Sequence, residues 1–290
     1  MSYITRLDRA FADAPVLPVG PDARYVFFSD CHRGIGNNND NFLKNINSYF
    51  AALQYYFQYG FCYIEAGDGD ELWENRRMSQ ISEIHDDVFR LLSRFYGCGR
   101  LYMLYGNHDI VKRRQQAALP GLPELRFHEG LILKSESAPL ELRVAHGHQA
   151  DLFNSVFWRL ARFLVRYLWA PLESFGVLDP TSSAKNNTKK DKLERKYVHY
   201  ARESGIFLLT GHTHRPMLGS GLSPYFNCGS CVHPRGITCI ELCGFRASLI
   251  KWHASAEKSR HFGSIYGQCP PTFPLYITRE VLGETELTPP

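Results

Sequence analysis

The chain has 290 residues, 44% of them hydrophobic and 21% charged, which excludes disorder as the default state and suffices for one large domain, 1–290, carrying an insertion. A formal net charge of +4 is too mild to argue for nucleic acid by itself; it is compatible with an anionic substrate or an anionic lipid surface. The opening MSYITRLDRAFADAP lacks the basic, apolar, small-residue order of a secretory signal, so a cytoplasmic location is expected, with the eight cysteines as reduced thiols.

RYVFFSD (24–30), FCYIEAGD (61–68) and RLYMLYGN (100–107) are short apolar runs ending in a polar turn, the pattern of buried strands. Between the first two, Phe42, Ile46, Tyr49, Phe50, Leu53 and Phe57 recur at helical spacing before Gly60; Ile81, Ile84, Val88, Leu91, Leu92 and Phe95 do so before Gly97. Strand, helix, strand, helix, strand predicts a parallel βαβ core. LRFHEGLILKSE (125–136) and LELRVAHGH (140–148) read as antiparallel strands, and 206–214, 225–230, 237–242 and 245–253 as a second strand-rich group. Two sheets with outer helices are expected.

Residues 149–205 break this rhythm. Phe153, Val156, Phe157, Leu160, Phe163, Leu164, Tyr167 and Leu168 predict one apolar helix face over 152–170, with Arg159, Arg162 and Arg166 on the other. The arginines interrupt it too often for a bilayer span. Residues 255–290, with PPTFP and a terminal TPP, read as an extended tail along the surface. Neither Cys228 with Cys231 nor Cys239 with Cys243 has the context of a zinc site, and Cys31 is expected in the core.

Metal-competent residues gather at the strand ends: Asp30-Cys31-His32, Gly67-Asp68, Gly106-Asn107-His108-Asp109, His146-Gly147-His148 and Gly211-His212-Thr213-His214. Open α/β sheets place their ligands there, and residues two apart on an extended segment point the same way. Carboxylate, amide oxygen and imidazole together suit Mn²⁺, Fe²⁺ or Zn²⁺ better than Ca²⁺. Two cations bridged by a carboxylate would account for seven such residues and clamp an in-line displacement at phosphorus. A phosphate-binding GxxxxGK[ST] loop is absent from the sequence.

This order, D-x-H, GD, GNHD, H, GHTH over about 24–253, resembles the calcineurin-like metallophosphoesterase superfamily. The resemblance implies a four-layer αββα sandwich of two mixed β-sheets with outer helices, and a dinuclear site, Mn²⁺ by preference. Asp30, His32, Asp68 and His214 would hold one ion; Asp68, Asn107, His146 and His212 would hold the other, with Asp68 as the bridge. It further implies a metal-bound hydroxide as nucleophile, and His108 near the leaving group, oriented by Asp109.

GD-x-x-E-x-W, present as GDGDELW (67–73), together with GHTHRP (211–216), is similar to the branch that hydrolyses UDP-2,3-diacylglucosamine in lipid A synthesis. That branch inserts a helical lid where this chain has 149–205, and its apolar face would line acyl chains while arginines meet headgroups at the inner membrane surface. Arg33, Glu71, Trp73, Lys185, Asn186, Asn187, Lys189 and Arg215 are the expected substrate contacts, and Asp70 an accessory loop carboxylate. His108 and His148 depart from that branch, which carries Arg and Asp there, so a soluble phosphodiesterase or nuclease acting on nucleotides or nucleic acid is the alternative. No obligatory protein partner is implied.

Overall fold

The computed structural model describes residues 1–37, 40–114, 119, 122, 124–169, 186–256 and 275–287. Helix α1 (Tyr3–Phe11) and strands β1 (Val16–Pro18) and β2 (Arg24–Phe28) open the chain. Next come α2 (Ile46–Gln58), β3 (Cys62–Ala66), α3 (Met78–Ile84), α4 (Asp86–Gly97) and β4 (Leu101–Leu104). As the apolar runs predict, β2, β3 and β4 are parallel neighbours. Strands β5 (Phe127–His128), β6 (Gly130–Lys134) and β7 (Glu141–Ala145) follow, β6 and β7 antiparallel as expected. The remaining strands are β8 (Phe207–Thr210), β9 (Tyr225–Asn227), β10 (Ile237–Cys243), β11 (Arg246–Ala256) and β12 (Leu275–Glu286).

They form a five-stranded sheet, β1-β6-β7-β8-β9, and a seven-stranded sheet, β12-β11-β10-β2-β3-β4-β5. Both are mixed. Alternation along β2 sends Phe27 into the core between the sheets, with Ile64, Leu142 and Leu209, and sends Val26 and Phe28 under α2 and α4 with Tyr49, Tyr56, Leu92 and Phe95. On the far side, Leu7 and Phe11 of α1 pack with Leu193, Tyr197 and Tyr200 of a last helix, α7 (Asn187–Glu203). The architecture is an αββα sandwich.

Four expectations change. The strands over 237–253 do not group with 206–230; β10 pairs antiparallel with β2 and so extends the first sheet. Residues 275–286 are no surface tail but the edge strand β12, paired with β11 along its length. The helix expected over 152–170 is divided into α5 (Leu152–Ser155), α6 (Trp158–Leu164) and one π turn (Val165–Trp169), after a break at Val156 and Phe157. Asn187–Glu203, assigned by sequence to the same insertion, is instead the layer helix α7 packed on β8 and β9. Along α5, α6 and the π turn, Leu152, Val156, Phe157, Leu160, Phe163 and Tyr167 are each at least half exposed. No helix among the described residues is long and apolar enough to cross a membrane.

Candidate metal centre

The parallel ladder does not stop where β2 and β3 end. Asp30 N donates to Gly67 O at 3.1 Å and His32 N to Asp68 O at 2.9 Å, so the loops carrying Asp-x-His and Gly-Asp stay zipped in register. Cys231 N donates to Asp30 O, which ties the loop after β9 to the loop after β2, and Gly211 N donates to His146 O, which joins the loops after β7 and β8. Among the described residues, the non-glycine residues with positive φ are Asp30, His32, Asp68, His212 and His214, all at 48–65°. All five belong to the ligand set expected from sequence. Left-handed backbone costs a non-glycine residue on the order of 1–3 kcal/mol and gathers at functional sites. Gly67, at φ 93°, has no such choice: a Cβ there would stand 2.7 Å from the His146 ring.

Asp30, Asp68, His32 and His146 each anchor one polar atom on a hydrogen-bond partner and leave another outside any hydrogen bond to the scaffold. Asp30 Oδ2 accepts from Ser29 Oγ and from His212 N at 3.0 Å, whereas Oδ1 has no hydrogen-bond partner. Asp68 Oδ1 accepts from His108 N at 2.8 Å, which leaves Oδ2 facing His146 Nε2 at 3.0 Å and His32 Nε2 at 3.9 Å. His146 Nδ1 donates to Ala66 O at 3.0 Å and His32 Nδ1 to Glu71 Oε2 at 2.7 Å; the buried Nε2 of each makes no hydrogen bond, that of His146 standing at ion-pair distance from Asp68. Asn107 Oδ1 is likewise buried without a partner. None of the four makes a hydrogen bond, though Asp30 Oδ1 lies 2.9 Å from His214 Nε2; such a set of buried carboxylate, amide and imidazole atoms fits divalent cations.

The His and carboxylate atoms fall into groupings that could hold a metal ion: Asp30, His32 and His214 in one, Asp68, His146 and His212 in another. A third joins His32 to Glu71 and His108. Burial disfavours charge on His146, but Asp68 and Asp30 outweigh it and push its pKa up to about 9. Burial also acts against the Asp30 carboxylate, which His214 and His146 nevertheless hold well below its ordinary range. Cations entering such a site displace protons from imidazole. No cysteine belongs to these groupings, and Cys31 is fully buried in the core.

Around the ligands, several side chains stand elsewhere than expected. His108 is oriented by Glu71, whose carboxylate lies 2.8 Å from His108 Nδ1, and by Trp73, whose ring stacks on the imidazole at 4.2 Å between centroids. Asp109 does not reach that ring; it accepts from Gly106 N at 2.7 Å, Gly69 N at 3.2 Å and Lys112 Nζ at 2.7 Å, holding the two loops together. Glu71 thus bonds two histidines at once, and Trp73 is 2% exposed, so both serve the centre from beneath. Arg33, an expected substrate contact, is 0% exposed and fully engaged: its guanidinium grips Glu65 through two bonds of 2.8 Å and Asp70 through one of 2.7 Å. Lys112, also buried, completes the set at 2.6 Å from Asp70. Asp70 is therefore part of a buried ionic pillar below Asp68.

On the open side, Arg166 of the π turn donates to Trp73 O at 2.6 Å and Leu72 O at 2.9 Å, and Arg76 bonds Tyr167 Oη at 2.9 Å. The insertion is thereby fastened to the GDGDELW loop. Asn186 caps α7 by accepting from Lys189 N, and Asn187 is exposed beside it. Lys189 pairs with the buried Asp151 at 2.8 Å, and Arg215 with Asp191 and Glu194. Lys185 lies outside the described residues. Sequence reasoning missed Asp151 and Lys112; the only signal was an acid or base one or two turns from a motif, which surface residues share.

The sequence matches no family model and no curated protein. Among solved structures, a cold-active protein tyrosine phosphatase is similar over 82% of this chain and 77% of its own, at 14% identity and a TM-score of 0.40. A point mutant of a cold-active protein tyrosine phosphatase gives the same score and identity, and the enzyme from a psychrophile Shewanella species gives 15% identity and a TM-score of 0.39.

Proposed function

We propose that the chain is a calcineurin-like metallophosphoesterase with a dinuclear divalent centre, Mn²⁺ by preference, which hydrolyses a phosphodiester or diphosphate. One observation carries this reading: the buried Asp30 Oδ1, His32 Nε2, Asn107 Oδ1 and His146 Nε2 make no hydrogen bond within the protein, and Asp30 and His32 are also among the five residues with strained backbone. Bound there, divalent cations would lower the pKa of a water and neutralise charge on a phosphoryl group. The chain's own residues do the rest. Asp68, with one oxygen fixed and one between His32 and His146, is placed to serve both halves. Burial disfavours charge on His108, but Glu71 and Asp68 outweigh it and raise its pKa, the direction that suits a proton donor to a leaving oxygen. The Trp73 stack and the Glu71 bond hold the imidazole at one orientation.

The substrate class we favour is a nucleotide–lipid diphosphate of the UDP-2,3-diacylglucosamine type, met at the cytoplasmic face of a membrane. Its support is the exposed apolar row from Leu152 to Tyr167, beside arginines and fastened directly to the loop under His108. The soluble phosphodiesterase or nuclease reading leaves that row without a purpose. To test this, the Mn²⁺-loaded protein is incubated with UDP-2,3-diacylglucosamine, its deacylated analogue, single-stranded DNA and bis(p-nitrophenyl) phosphate. Release of UMP from the acylated compound, at least tenfold faster than from the deacylated one, is expected. Faster cleavage of the deacylated compound or of DNA refutes the lipid assignment, and no cleavage of any of them refutes the hydrolase.

A further inference from the structure

Asp151 stands outside the ligand motifs, yet three parts of the molecule meet on its carboxylate. It is 4% exposed, and its Oδ2 lies 3.4 Å from His212 Nε2. The same oxygen pairs with Lys189 Nζ at 2.8 Å and accepts from Asn154 Nδ2 at 2.9 Å, while Oδ1 accepts from Phe153 N at 3.1 Å. His212 belongs to the metal grouping with Asp68 and His146. Phe153 and Asn154 are in α5, which Asp151 caps at its N-terminus and through which the chain enters the insertion. Lys189 is in the first turn of α7, through which the chain leaves it. Two more residues of α7 brace the turn before Asp151: Lys196 Nζ donates to Ala150 O at 3.0 Å, and Tyr197 Oη to Gly147 O at 2.8 Å.

We propose that Asp151 is a positioning residue that couples the lid insertion to the metal centre, orienting His212 with the same carboxylate that caps the lid's entry helix and pairs with its exit helix. The inference rests on the metal-centre reading above. A carboxylate that accepts a hydrogen bond from His212 Nε2–H sets the tautomer and leaves the other ring nitrogen its lone pair, the arrangement that supports metal-bound imidazole. Displacing α5, or the insertion's junction with α7 at Lys189, removes a partner of that carboxylate and loosens His212; conversely, a cation that fixes His212 fixes Asp151 and the two junctions of the insertion. Such linkage is reciprocal, so whatever the lid contributes to cation affinity, the cation returns to the lid.

The test joins two readouts on the full chain, neither of which needs a substrate. Mn²⁺ affinity is measured by titration calorimetry, and the rate of tryptic cleavage after Arg159 and Arg162 is followed with and without saturating Mn²⁺. In the unaltered protein, Mn²⁺ is expected to slow cleavage at least threefold. Asp151→Asn, which keeps the shape, is expected to weaken Mn²⁺ binding on the order of 10- to 100-fold and to remove the protection. Lys189→Met leaves Asp151 and His212 in place, so it tests the lid side if Asp151→Asn folds poorly; it is expected to lose most of the protection as well. Unchanged affinity and protection in Asp151→Asn, or full protection in Lys189→Met, overturns the coupling while leaving the hydrolase reading intact. An unaltered protein that binds no Mn²⁺ overturns the metal centre itself and the coupling with it.

Discussion

Replacing Arg33 separates its two possible roles. A substrate-contacting arginine, once removed, raises KM and leaves stability alone; a buried pillar, once removed, leaves KM nearly alone and costs folding. The structure argues for the second. Arg33, Glu65 and Asp70 are all 0% exposed, and the guanidinium supplies three bonds of 2.7–2.8 Å to the two carboxylates. Arg33→Met keeps most of the stem but removes the guanidinium that lies over the Phe89 ring, strands Glu65 with only tyrosine and cysteine neighbours and leaves Asp70 to Lys112 alone. Breaking a buried pair in this way costs about 3–5 kcal/mol, which for a chain of this size lowers Tm on the order of 10 °C. The assay is thermal and urea unfolding in excess chelator, so that cation binding does not mask the change. Arg33→Met melting within about 2 °C of the parent, with a raised KM, would refute the pillar and restore the substrate contact.

Asn107→Ala is expected to lower bound Mn²⁺ and to cut turnover on the order of 100-fold, with unfolding in chelator unchanged because Asn107 Oδ1 bonds nothing in the protein. Metal analysis and urea curves check it; full metal content removes Asn107 from the centre. Phe157→Ser with Phe163→Ser, at positions 50% and 57% exposed, should leave Tm within about 2 °C yet raise KM several-fold for acylated substrates alone. A drop in Tm of about 10 °C would instead mean that the row packs within the fold. Alkylation at pH 8 followed by mass spectrometry should label exposed Cys98 well before Cys62, whose thiol burial pushes up to about 12. Cys62 reacting as fast as Cys98 would contradict its placement in β3.

The centre was legible because buried parallel strands write themselves as unbroken apolar runs, and the polar residue that ends each run is the one at the sheet's C-terminal edge. Asp30, Asp68 and Asn107 all follow from that rule. What was not legible depends on reach across loops. Asp109 is adjacent to His108 in sequence, but the chain turns there into a 3₁₀ segment, and the side chain goes back to the amides of Gly69 and Gly106. Glu71, 37 positions away, arrives instead. Arg33 next to a ligand reads as a substrate contact, and no pattern in its neighbours announces that Glu65, inside a strand, waits for it. Sheet membership of β10 also escapes, because a strand's alternation says which face is buried but not which neighbour completes its ladder.

The strain at the five ligands and the ionic pillar below them have one physical connection. Asp30, His32 and Asp68 hold left-handed backbone only while the ladder beyond β2 and β3 continues, and its next rungs are Arg33 N to Gly69 O and Glu71 N to Arg33 O. Those rungs carry the residues of the pillar: Arg33 closes on Asp70 across the ladder and on Glu65 one strand turn back. The side-chain bonds therefore clamp the peptide segments whose conformation the ligands require. A neutral, well-packed core at the same place would stabilise the fold as well, but it would not tie the loop after β2 to the loop after β3 with directional bonds. That is the reason to find charges, rather than leucines, directly beneath a set of donors whose mutual placement has to be held before any cation arrives.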